Sequence, residues 1–204
     1  MTLLDLMRNR RSIRKYKKQT FSTKEILQVL EAGKLAPSGA NQQPWTYILV
    51  TDKRLKQKIR KEAETVEESF HREAPKPLKN WFKEQGITPQ KNFLTEAPAL
   101  IVVAGYTKVP YWLESTWISI AYILLQAASQ GFGTLTYTPS DTSFLNQLLK
   151  IPKDYQPVAI IPIGYPAEKP SPETRPRKPL ETFVHRDKYG SMHVSETTGT
   201  TLTA

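Results

Sequence analysis

Four apolar runs along the chain predict its β-strands. They cover residues 46–51, 98–106, 133–138 and 157–165. Each run is rich in β-branched or aromatic side chains and is bounded by turn-forming residues, as strands usually are. The sequence therefore predicts four strands, in these four segments.

Apolar residues at helical spacing predict the helices. A short apolar helix covers residues 3–7. Ser22 and Glu25 form a capping box at the start of a second helix, which ends at residues 36–37. Asp52 can cap a third helix, which Pro75 and Pro77 end. The buried face of this third helix is formed by Leu55, Ile59, Ala63, Val66 and Phe70.

Residues 113–130 form a long predicted helix whose apolar residues fall on nearly every face. Such a helix is buried in a core or in an interface. Gly131 suits the C′ position that ends it. A further helix carries Phe144, Leu145, Leu148 and Leu149, with Ser140 or Asp141 as its cap.

Residues 71–95 are the least regular part of the chain, because they mix aromatic side chains with many charges. The composition is compatible with a lid over a ligand or with a surface excursion that packs on the core. From residue 166 the chain is rich in proline and charge and is predicted to be extended. Residues 191–204 have the composition of a disordered tail. We expect residues 1–190 to form a single domain.

The composition narrows the classes of function. There is no cysteine, which excludes a disulfide framework, a thiolate metal site and a cysteine nucleophile. The net charge of +10 favours anionic ligands, and nucleic acid is one alternative. However, the lysines and arginines are spread along the chain and no nucleic-acid fold signature is present. We therefore expect no nucleic-acid partner.

The N-terminus and the apolar runs predict a cytoplasmic protein without a membrane segment. The first residues carry charge at Asp5 and Arg8 and lack the apolar run of a signal peptide. The most apolar segment, 117–128, is too short to span a bilayer.

A scan for catalytic motifs disfavours hydrolytic and metal chemistry. The chain contains no Walker loop, no HExxH and no GxSxG elbow. Its histidines, His71, His185 and His193, lack metal-ligand spacing, so no metal site is expected. Chemistry supplied by an organic cofactor remains open.

Two motifs carry a candidate binding function. Residues 35–45, LAPSGANQQPW, join a helix to a strand through turn-forming residues, and amide groups in such a turn can donate to a ligand. Residues 10–14, RRSIR, place three guanidinium groups and a hydroxyl within five positions. Guanidinium forks match phosphate oxygens in bidentate geometry.

Together, RRSIR and APSGANQQPW resemble the FMN-binding nitroreductase superfamily. The order of APSGA, QPWTY, KIRK, NWFKE, TYTP, IGYP and RKPL resembles most the iodotyrosine deiodinase branch, over residues 3–180. The resemblance implies an α+β fold with a central, mostly antiparallel sheet flanked by helices. It also implies an intertwined homodimer with two FMN sites at its interface, to which the 113–130 helix would contribute.

The resemblance assigns cofactor contacts to specific residues. Arg10, Arg11, Ser12 and Arg14 would contact the FMN phosphate and ribityl chain, and Arg177 would complete the phosphate site. A loop from the partner subunit would lie along the flavin with Pro37, Ser38, Gly39 and Asn41. Thr136 and Thr138 would lie beside flavin N5, and Thr138 is the candidate hydroxyl for a hydrogen bond to it. From the residues alone, Arg177 reads as a solvated charge and Thr138 as an ordinary strand residue.

The resemblance also assigns substrate contacts. The Ala40 amide would donate to a substrate phenolate. In the deiodinase branch a lid holds the amino-acid zwitterion with Glu, Tyr and Lys, and the matching residues here are Glu67 and Lys83. The tyrosine has no match, because Phe70 and His71 stand in its place.

These assignments lead to two hypotheses for an enzyme. The first is FMN-dependent reductive dehalogenation of halotyrosines. The second is a broad-specificity NAD(P)H-dependent nitro or quinone reductase with a loose lid. In both, the expected partners are a second copy of the chain, a small aromatic or phenolic substrate, and a reductant that is a reduced nicotinamide or a flavin- or ferredoxin-type donor.

Overall fold

A computed structural model gives the architecture of residues 1–170 and 176–191, which lie in two compact units, 1–170 and 171–204. The described strands form one antiparallel sheet; they are β1 (Trp45–Val50), β2 (Ala99–Tyr106), β3 (Gly133–Thr134) and β4 (Tyr155–Gly164). Their spatial order is β1-β2-β4-β3. The helices are α1 (Leu3–Asn9), α2 (Thr23–Lys34), α3 (Lys53–Glu73), α4 (Lys76–Gln85), α5 (Phe93–Glu96), α6 (Trp112–Ser129) and α7 (Ser143–Leu149).

The helices cover both faces of the sheet. On one face, Leu100, Val102 and Ile160 pack with residues of α3, α5 and α7. On the other face, Ile101 and Ile161 pack with residues of α2 and α6. Neighbouring strand residues point to opposite faces, which explains why β2 and β4 are apolar at successive positions. The predicted α+β fold with an antiparallel sheet flanked by helices is confirmed.

Local chemistry fixes most helix ends as predicted. Ser22 and Glu25 form the reciprocal capping box of α2. The Asp52 carboxylate accepts a hydrogen bond from the Leu55 amide at the start of α3, at 2.7 Å. Gly131 has a φ of 78° just after α6, as its predicted C′ position requires. Side-chain capping is short-range and can therefore be read from sequence.

The segment 71–95 is more regular than predicted. Helix α3 ends at Glu73, directly before Pro75, as predicted. A helix that was not predicted, α4, begins there, with Pro75 as its N-cap and Pro77 in its first turn. Proline is tolerated at these positions because the amides of a first turn have no helical partner. Gly86, with a φ of 62°, ends the helix.

The predicted strand at 133–138 is shorter than expected, since β3 is only Gly133–Thr134. Beyond it, Tyr137 makes an isolated bridge to Ile160. The N-terminal segment pairs with β3 on the side away from β4, because the Ile13 amide donates to the Thr134 carbonyl at 2.9 Å and Ser12 forms a parallel bridge with Thr134.

Helix α6 has an unusual distribution of residues. Its small polar side chains are buried; they are Ser115, Thr116 and Ser119. Ile120 and Ile123 are buried as well, but four of its large apolar side chains are partly exposed; they are Leu113, Trp117, Ile118 and Tyr122, each 37–41% accessible. We call these four residues the outer α6 face. The prediction that α6 is apolar nearly all round is confirmed, and its outer face is open in the single chain.

The second unit, where described, has little regular structure. A 3₁₀ turn covers Leu180–Thr182, and Arg177 lies in the preceding extended segment with its side chain exposed. Most of the predicted tail, including His193, lies outside the described residues. The prediction of a single domain over 1–190 stays a prediction. Within the described part of the chain, no helix combines the length and apolarity needed to cross a membrane.

Candidate active site

The loop between α2 and β1 follows a strained backbone path. Gly39–Asn41 form one 3₁₀ turn, and three residues with side chains have positive φ: Ala40 at 48°, Asn41 at 55° and Gln43 at 47°. This left-handed region is unfavourable for residues that carry a Cβ atom. Strain of this kind occurs preferentially at functional sites.

The strained loop leaves one amide without an acceptor. The other four amides of residues 39–43 are bonded: Gly39 to Ser115 Oγ at 3.4 Å, Asn41 to the Ser38 carbonyl at 3.0 Å, Gln42 to the Gly39 carbonyl at 3.1 Å and Gln43 to Ser38 Oγ at 2.9 Å. In the part of the chain that the structure describes, the Ala40 amide has no acceptor. Since Ala40 is exposed, this amide can donate to a ligand oxygen.

The arginine segment lies at the opposite end of α6. Arg10 and Arg11 are half-buried and line a groove with Ala128, Phe132 and Gly133. Gly133 allows this approach, because an added Cβ there would stand 2.7 Å from Ile13 Cγ1. Two guanidinium groups in a partly enclosed groove form a site suited to a phosphate.

Glu168 orders the remainder of this segment. Its Oε1 accepts hydrogen bonds from the backbone amides of Arg14 and of Lys15, the latter at 3.1 Å. The Arg14 side chain itself is exposed. The carboxylate therefore binds main-chain donors, which fixes the backbone that carries the cations.

The arginine segment and the loop are held by different ends of one helix. Gly39 contacts Tyr111 and Ser115 at the start of α6, whereas Arg10 and Arg11 share a groove with Ala128 near its end. At about 1.5 Å rise per residue, Ser115 and Ala128 are roughly 20 Å apart. Within one chain, the candidate phosphate site and the free amide of Ala40 are therefore far from each other.

The two candidate flavin threonines follow β3. Thr136 is half-buried and Thr138 is exposed, just before the buried Pro139. Between them, Tyr137 points into the core, and its buried hydroxyl has no hydrogen-bond partner of good geometry among the described residues. Burial, followed by the nearby Glu67 carboxylate, raises the pKa of Tyr137. The segment after β3 that carries both threonines is thus anchored beside Glu67.

Glu67 lies at the centre of a buried polar cluster. It is 7% accessible and forms an ion pair with Lys91, with Lys91 Nζ 3.3 Å from Glu67 Oε2. Its other oxygen accepts a hydrogen bond from the Ser140 amide at 3.3 Å. Lys91 Nζ also lies 5.6 Å from the centre of the Tyr137 ring. A buried ion pair of this kind carries one negative and one positive charge, which complement the ammonium and the carboxylate of an amino-acid zwitterion.

The other predicted lid residues are placed differently. Lys83 lies exposed on α4, and its side chain makes no hydrogen bond or ion pair among the described residues. Phe70 is also exposed, at 41%, so its predicted place on the buried face of α3 is wrong; Glu67, three residues earlier, is buried instead. His71 stacks on Phe82 with ring centroids 4.2 Å apart, and its buried Nε2 has no partner among the described residues. Burial, and then the charge of Lys91, lower the pKa of His71.

Lys91 is a candidate site residue that the sequence interpretation missed. It precedes α5, while its partner Glu67 lies on α3. No local pattern marks such a pair, because it forms only when the two helices pack together. Its burial, at 5% accessible, together with its pairing to a buried carboxylate, identifies it in the structure.

Comparisons with known proteins agree with the geometry. A sequence profile of the nitroreductase family matches residues 7–165. An iodotyrosine deiodinase from Thermotoga neapolitana is 36% identical over 171 residues, which cover 84% of this chain and 91% of that protein. An iodotyrosine deiodinase from Haliscomenobacter hydrossis is 34% identical over 175 residues, covering 79% of this chain and 78% of that protein.

The solved structures that resemble this chain include an iodotyrosine deiodinase and nitroreductases as well. A crystal structure of an oxidized iodotyrosine deiodinase bound to FMN and 3-iodo-L-tyrosine matches with a TM-score of 0.86 and 33% identity, over 92% of this chain and 100% of that one. An FMN-dependent nitroreductase from Clostridium difficile matches with a TM-score of 0.70 and 25% identity, over 91% and 99% of the two chains.

Proposed function

Because the chain belongs to the nitroreductase family, we propose that it is an FMN-dependent oxidoreductase that reductively dehalogenates halotyrosines. The observation that carries the proposal is the buried Glu67–Lys91 pair. A nitroaromatic or a quinone carries no ammonium–carboxylate pair that would complement two opposite buried charges, whereas the ammonium and the carboxylate of an amino acid complement both. The similar deiodinase structure with bound FMN and 3-iodo-L-tyrosine supports this proposal.

The residues present fit FMN. The half-buried Arg10 and Arg11 would hold its phosphate, together with Ser12 and Arg14. Arg177 is proposed as a further phosphate contact, by the sequence resemblance alone. Thr138 would donate a hydrogen bond to N5, with Thr136 in the same segment after β3. Bound FMN would supply the electrons by which a carbon–halogen bond is replaced by a carbon–hydrogen bond and halide is released.

The chain's own residues would bind and orient the substrate. The free Ala40 amide would donate to the phenolate oxygen, and this bond is strongest for the anion. Glu67 would bind the substrate ammonium and Lys91 the substrate carboxylate. Glu67 and Lys91 would then exchange their mutual contact for contacts with the zwitterion, which keeps each buried charge paired. Lys83 remains the sequence-based candidate for the lid lysine.

A homodimer would complete the site. The free amide and the arginine segment are roughly 20 Å apart in one chain, by the rise of α6, so a second copy is needed to bring the loop of one subunit to the arginines of the other. The outer α6 face offers an apolar contact surface for that copy. Pro37, Ser38, Gly39 and Asn41 would then lie along the partner's flavin.

The first test is a titration of the purified protein with 3-iodotyrosine while flavin fluorescence is followed. We expect saturable quenching, because the phenol would stack on the flavin. Fluorescence that does not respond would exclude halotyrosine as the ligand. A protein that contains no flavin and does not bind added FMN would contradict the family-based assignment of the cofactor.

A broad nitro or quinone reductase is the second candidate. It is favoured by one departure from the deiodinase pattern, namely Phe70 and His71 in place of the lid tyrosine. Matched variants distinguish the two functions. Under the deiodinase proposal, the double variant Glu67→Gln/Lys91→Met, which leaves no buried charge unpaired, abolishes halotyrosine turnover and leaves nitroaromatic reduction; Lys83→Ala does so only if the sequence-based assignment of the lid lysine is right. If neither variant separates the two activities, the broad reductase is the better description.

The proposal includes a reductant and a location. A reduced nicotinamide or a flavin- or ferredoxin-type donor would reduce the enzyme, and steady-state assays with each donor class would identify it. We propose a cytoplasmic location, which cell fractionation would test.

A further inference from the structure

The left-handed residues of the chain are concentrated at one contact. Six non-glycine residues in the described ranges have positive φ, and four of them, Ala40, Asn41, Gln43 and Tyr111, belong to the loop and to the residue packed against it. The other two are Lys150 and Asp187. Such conformations cost of order 1 kcal/mol or more for each residue and persist only where surrounding contacts enforce them.

Tyr111 is the unexpected member of this group. A bulky aromatic residue at a φ of 56° is a genuine outlier. It is also the N-cap of α6, where its side chain makes no capping hydrogen bond. An ordinary cap residue such as serine would stabilise the helix better. The local structure of α6 therefore does not explain why tyrosine stands here.

The contacts of Tyr111 lead to Gly39. A Cβ atom added at Gly39 would stand 3.3 Å from Tyr111 Cδ2 and 3.7 Å from its Cβ, so the ring lies directly against the glycine backbone. One turn along α6, Ser115 Oγ accepts the Gly39 amide at 3.4 Å, while the Ser115 amide donates to the Tyr111 carbonyl at 3.0 Å. The start of α6 thus contacts Gly39 through one edge of the Tyr111 ring, which is otherwise 70% exposed, and through the hydrogen bond to Ser115.

The residue after Gly39 is Ala40, the one whose amide has no acceptor in the described loop. If Gly39 were released, Ala40 would relax from its φ of 48° toward the ordinary negative range. Its N–H would then point in a different direction. The contact with Tyr111 opposes this relaxation.

We propose that Tyr111 is a positioning residue for phenolate recognition. The Tyr111 backbone has a left-handed conformation, and its ring packs against Gly39. This contact holds the loop so that the Ala40 amide faces the phenolate oxygen of a bound halotyrosine. This inference rests on the proposed function, and it adds to that function a residue that determines the preference for the ionised phenol.

The decisive variant is Tyr111→Gly in the FMN-loaded protein. Glycine adopts the same backbone conformation without strain, so this variant removes the ring and keeps a permitted turn. Tyr111→Phe keeps the ring and serves as the conservative rescue. Lys150→Gly relieves the same kind of strain at the end of α7 and serves as the matched control.

The measurement is the dissociation constant of 3-iodotyrosine, from flavin fluorescence quenching, across the pH range in which its phenol ionises. In the wild type, affinity should rise with pH because the amide prefers the anion. In Tyr111→Gly, affinity for the phenolate should fall by about tenfold, the size of one hydrogen bond to a charged group. The rise with pH should flatten while FMN remains bound. Tyr111→Phe and Lys150→Gly should retain the wild-type profile.

Two outcomes overturn the inference. One is a Tyr111→Gly protein that keeps the wild-type affinity and pH profile; the proposed function would then stand alone. The other is a wild-type protein that binds FMN but no halotyrosine, which removes the proposed function as well. If Tyr111→Gly loses FMN, Tyr111→Asn decides instead. Asparagine tolerates the left-handed conformation but lacks the ring, and a pH profile unchanged from the wild type would contradict the proposal.

Discussion

Helices α3 and α6 pack on opposite faces of the same sheet and depart from the usual amphipathic pattern in opposite ways. Helix α6 buries serine and threonine and leaves large apolar side chains open to solvent. Helix α3 keeps a charged outer face and also buries charged residues, Lys56 and Glu67. Normally, apolar side chains are buried and charged ones exposed.

The two departures call for different partners. Exposed apolar area is stabilised by removal from water, which a second protein surface provides. Buried charge is stabilised by paired charge or by carbonyl oxygens. Lys56 illustrates the second case, because its Nζ donates to the carbonyls of Ala97 and Pro98 at 2.5 and 3.1 Å. Its role is structural, whereas Glu67 and Lys91 are paired with each other and, under the proposed function, would exchange this contact for contacts with a ligand.

The largest expected effect comes from breaking the buried pair of α3. Lys91→Ala should lower the free energy of unfolding by about 3–5 kcal/mol, because it leaves the Glu67 carboxylate buried and unpaired. Urea denaturation of the FMN-loaded protein measures this. Lys83→Ala, on the exposed side of α4, is the matched control and should change stability by less than about 0.5 kcal/mol.

A double variant separates stability from ligand binding. Glu67→Gln combined with Lys91→Met removes both charges, and we expect it to recover most of the lost stability. Halotyrosine binding should remain absent, because neither charge of the zwitterion then has a partner. Recovery of binding together with stability would contradict the assignment of this pair to the substrate.

The second prediction concerns the outer face of α6. Ile118→Asp should weaken self-association by roughly 10- to 100-fold, since burial of an isoleucine side chain is worth about 1.5–3 kcal/mol. Light scattering over a dilution series measures the dimer dissociation constant. FMN should be lost along with the dimer, because the proposed site is built from both subunits.

Ile87→Asp is the matched control for this prediction. Ile87 follows α4 and has a similar exposure, 36% against 39% for Ile118. This control should leave the dimer intact. If both aspartate variants dissociate equally, or if neither does, the outer α6 face is not the dimer contact.

Much of the fold, including the apolar character of α6, could be predicted from the sequence, because the features that determine it are local. The runs that form β1, β2 and β4 are apolar enough to require burial, and the capping residues of α2 and α3 act within one turn. The apolar character of α6 indicated a core or interface helix. Helix α4 was missed because prolines that begin a helix were interpreted as ending one.

The site was less predictable because its key contacts are long-range. RRSIR and the APSGANQQPW loop were recognisable as motifs, but their separation by the length of α6 depends on the fold. The Glu67–Lys91 pair joins α3 to the segment before α5. Likewise, the contact between Tyr111 and Gly39 joins two loops, and the Tyr111 conformation has no sequence signal, since tyrosine is not expected at positive φ.

The third prediction tests the inner side of α6. Gly33 lets α2 approach closely, because an added Cβ would stand 2.6 Å from Ile123 Cγ1 and 2.8 Å from Tyr47 Oη. Gly33→Ala should therefore destabilise the protein by about 1–3 kcal/mol through overpacking. It should also disturb the hydrogen bond between Tyr47 Oη and Ser119 Oγ, now 2.5 Å long. Thermal unfolding at fixed FMN concentration measures the change.

A double-mutant cycle sharpens this test. Ile123→Val removes the Cδ1 methyl, which would stand 2.9 Å from the new Cβ. In the Gly33→Ala background this substitution should cost less than it does in the wild type. Strict additivity of the two changes would show that the close approach of α2 to α6 is not the source of the effect.

The smallest expected effect concerns the charge balance around α3 and its dependence on pH. The pKa of His71 is lowered from its ordinary 6.5, by burial first and by the charge of Lys91 second, against an opposing effect of Glu67. The unfolded chain therefore binds a proton at this site more readily than the folded chain. It follows that the stability contribution is complete above about pH 6.5 and is lost as the pH falls below that value.

His71→Phe keeps the stacking on Phe82 but cannot titrate, so its stability should change less between about pH 8 and pH 5.5 than that of the wild type. Urea midpoints at the two pH values measure this difference. The Glu67→Gln/Lys91→Met variant refines the argument, because removal of the lysine charge and the glutamate charge leaves burial as the main cause of the shift. If the pH dependence survives in that variant but is absent in His71→Phe, burial of the imidazole dominates; if it survives equally in both, His71 is not the group responsible.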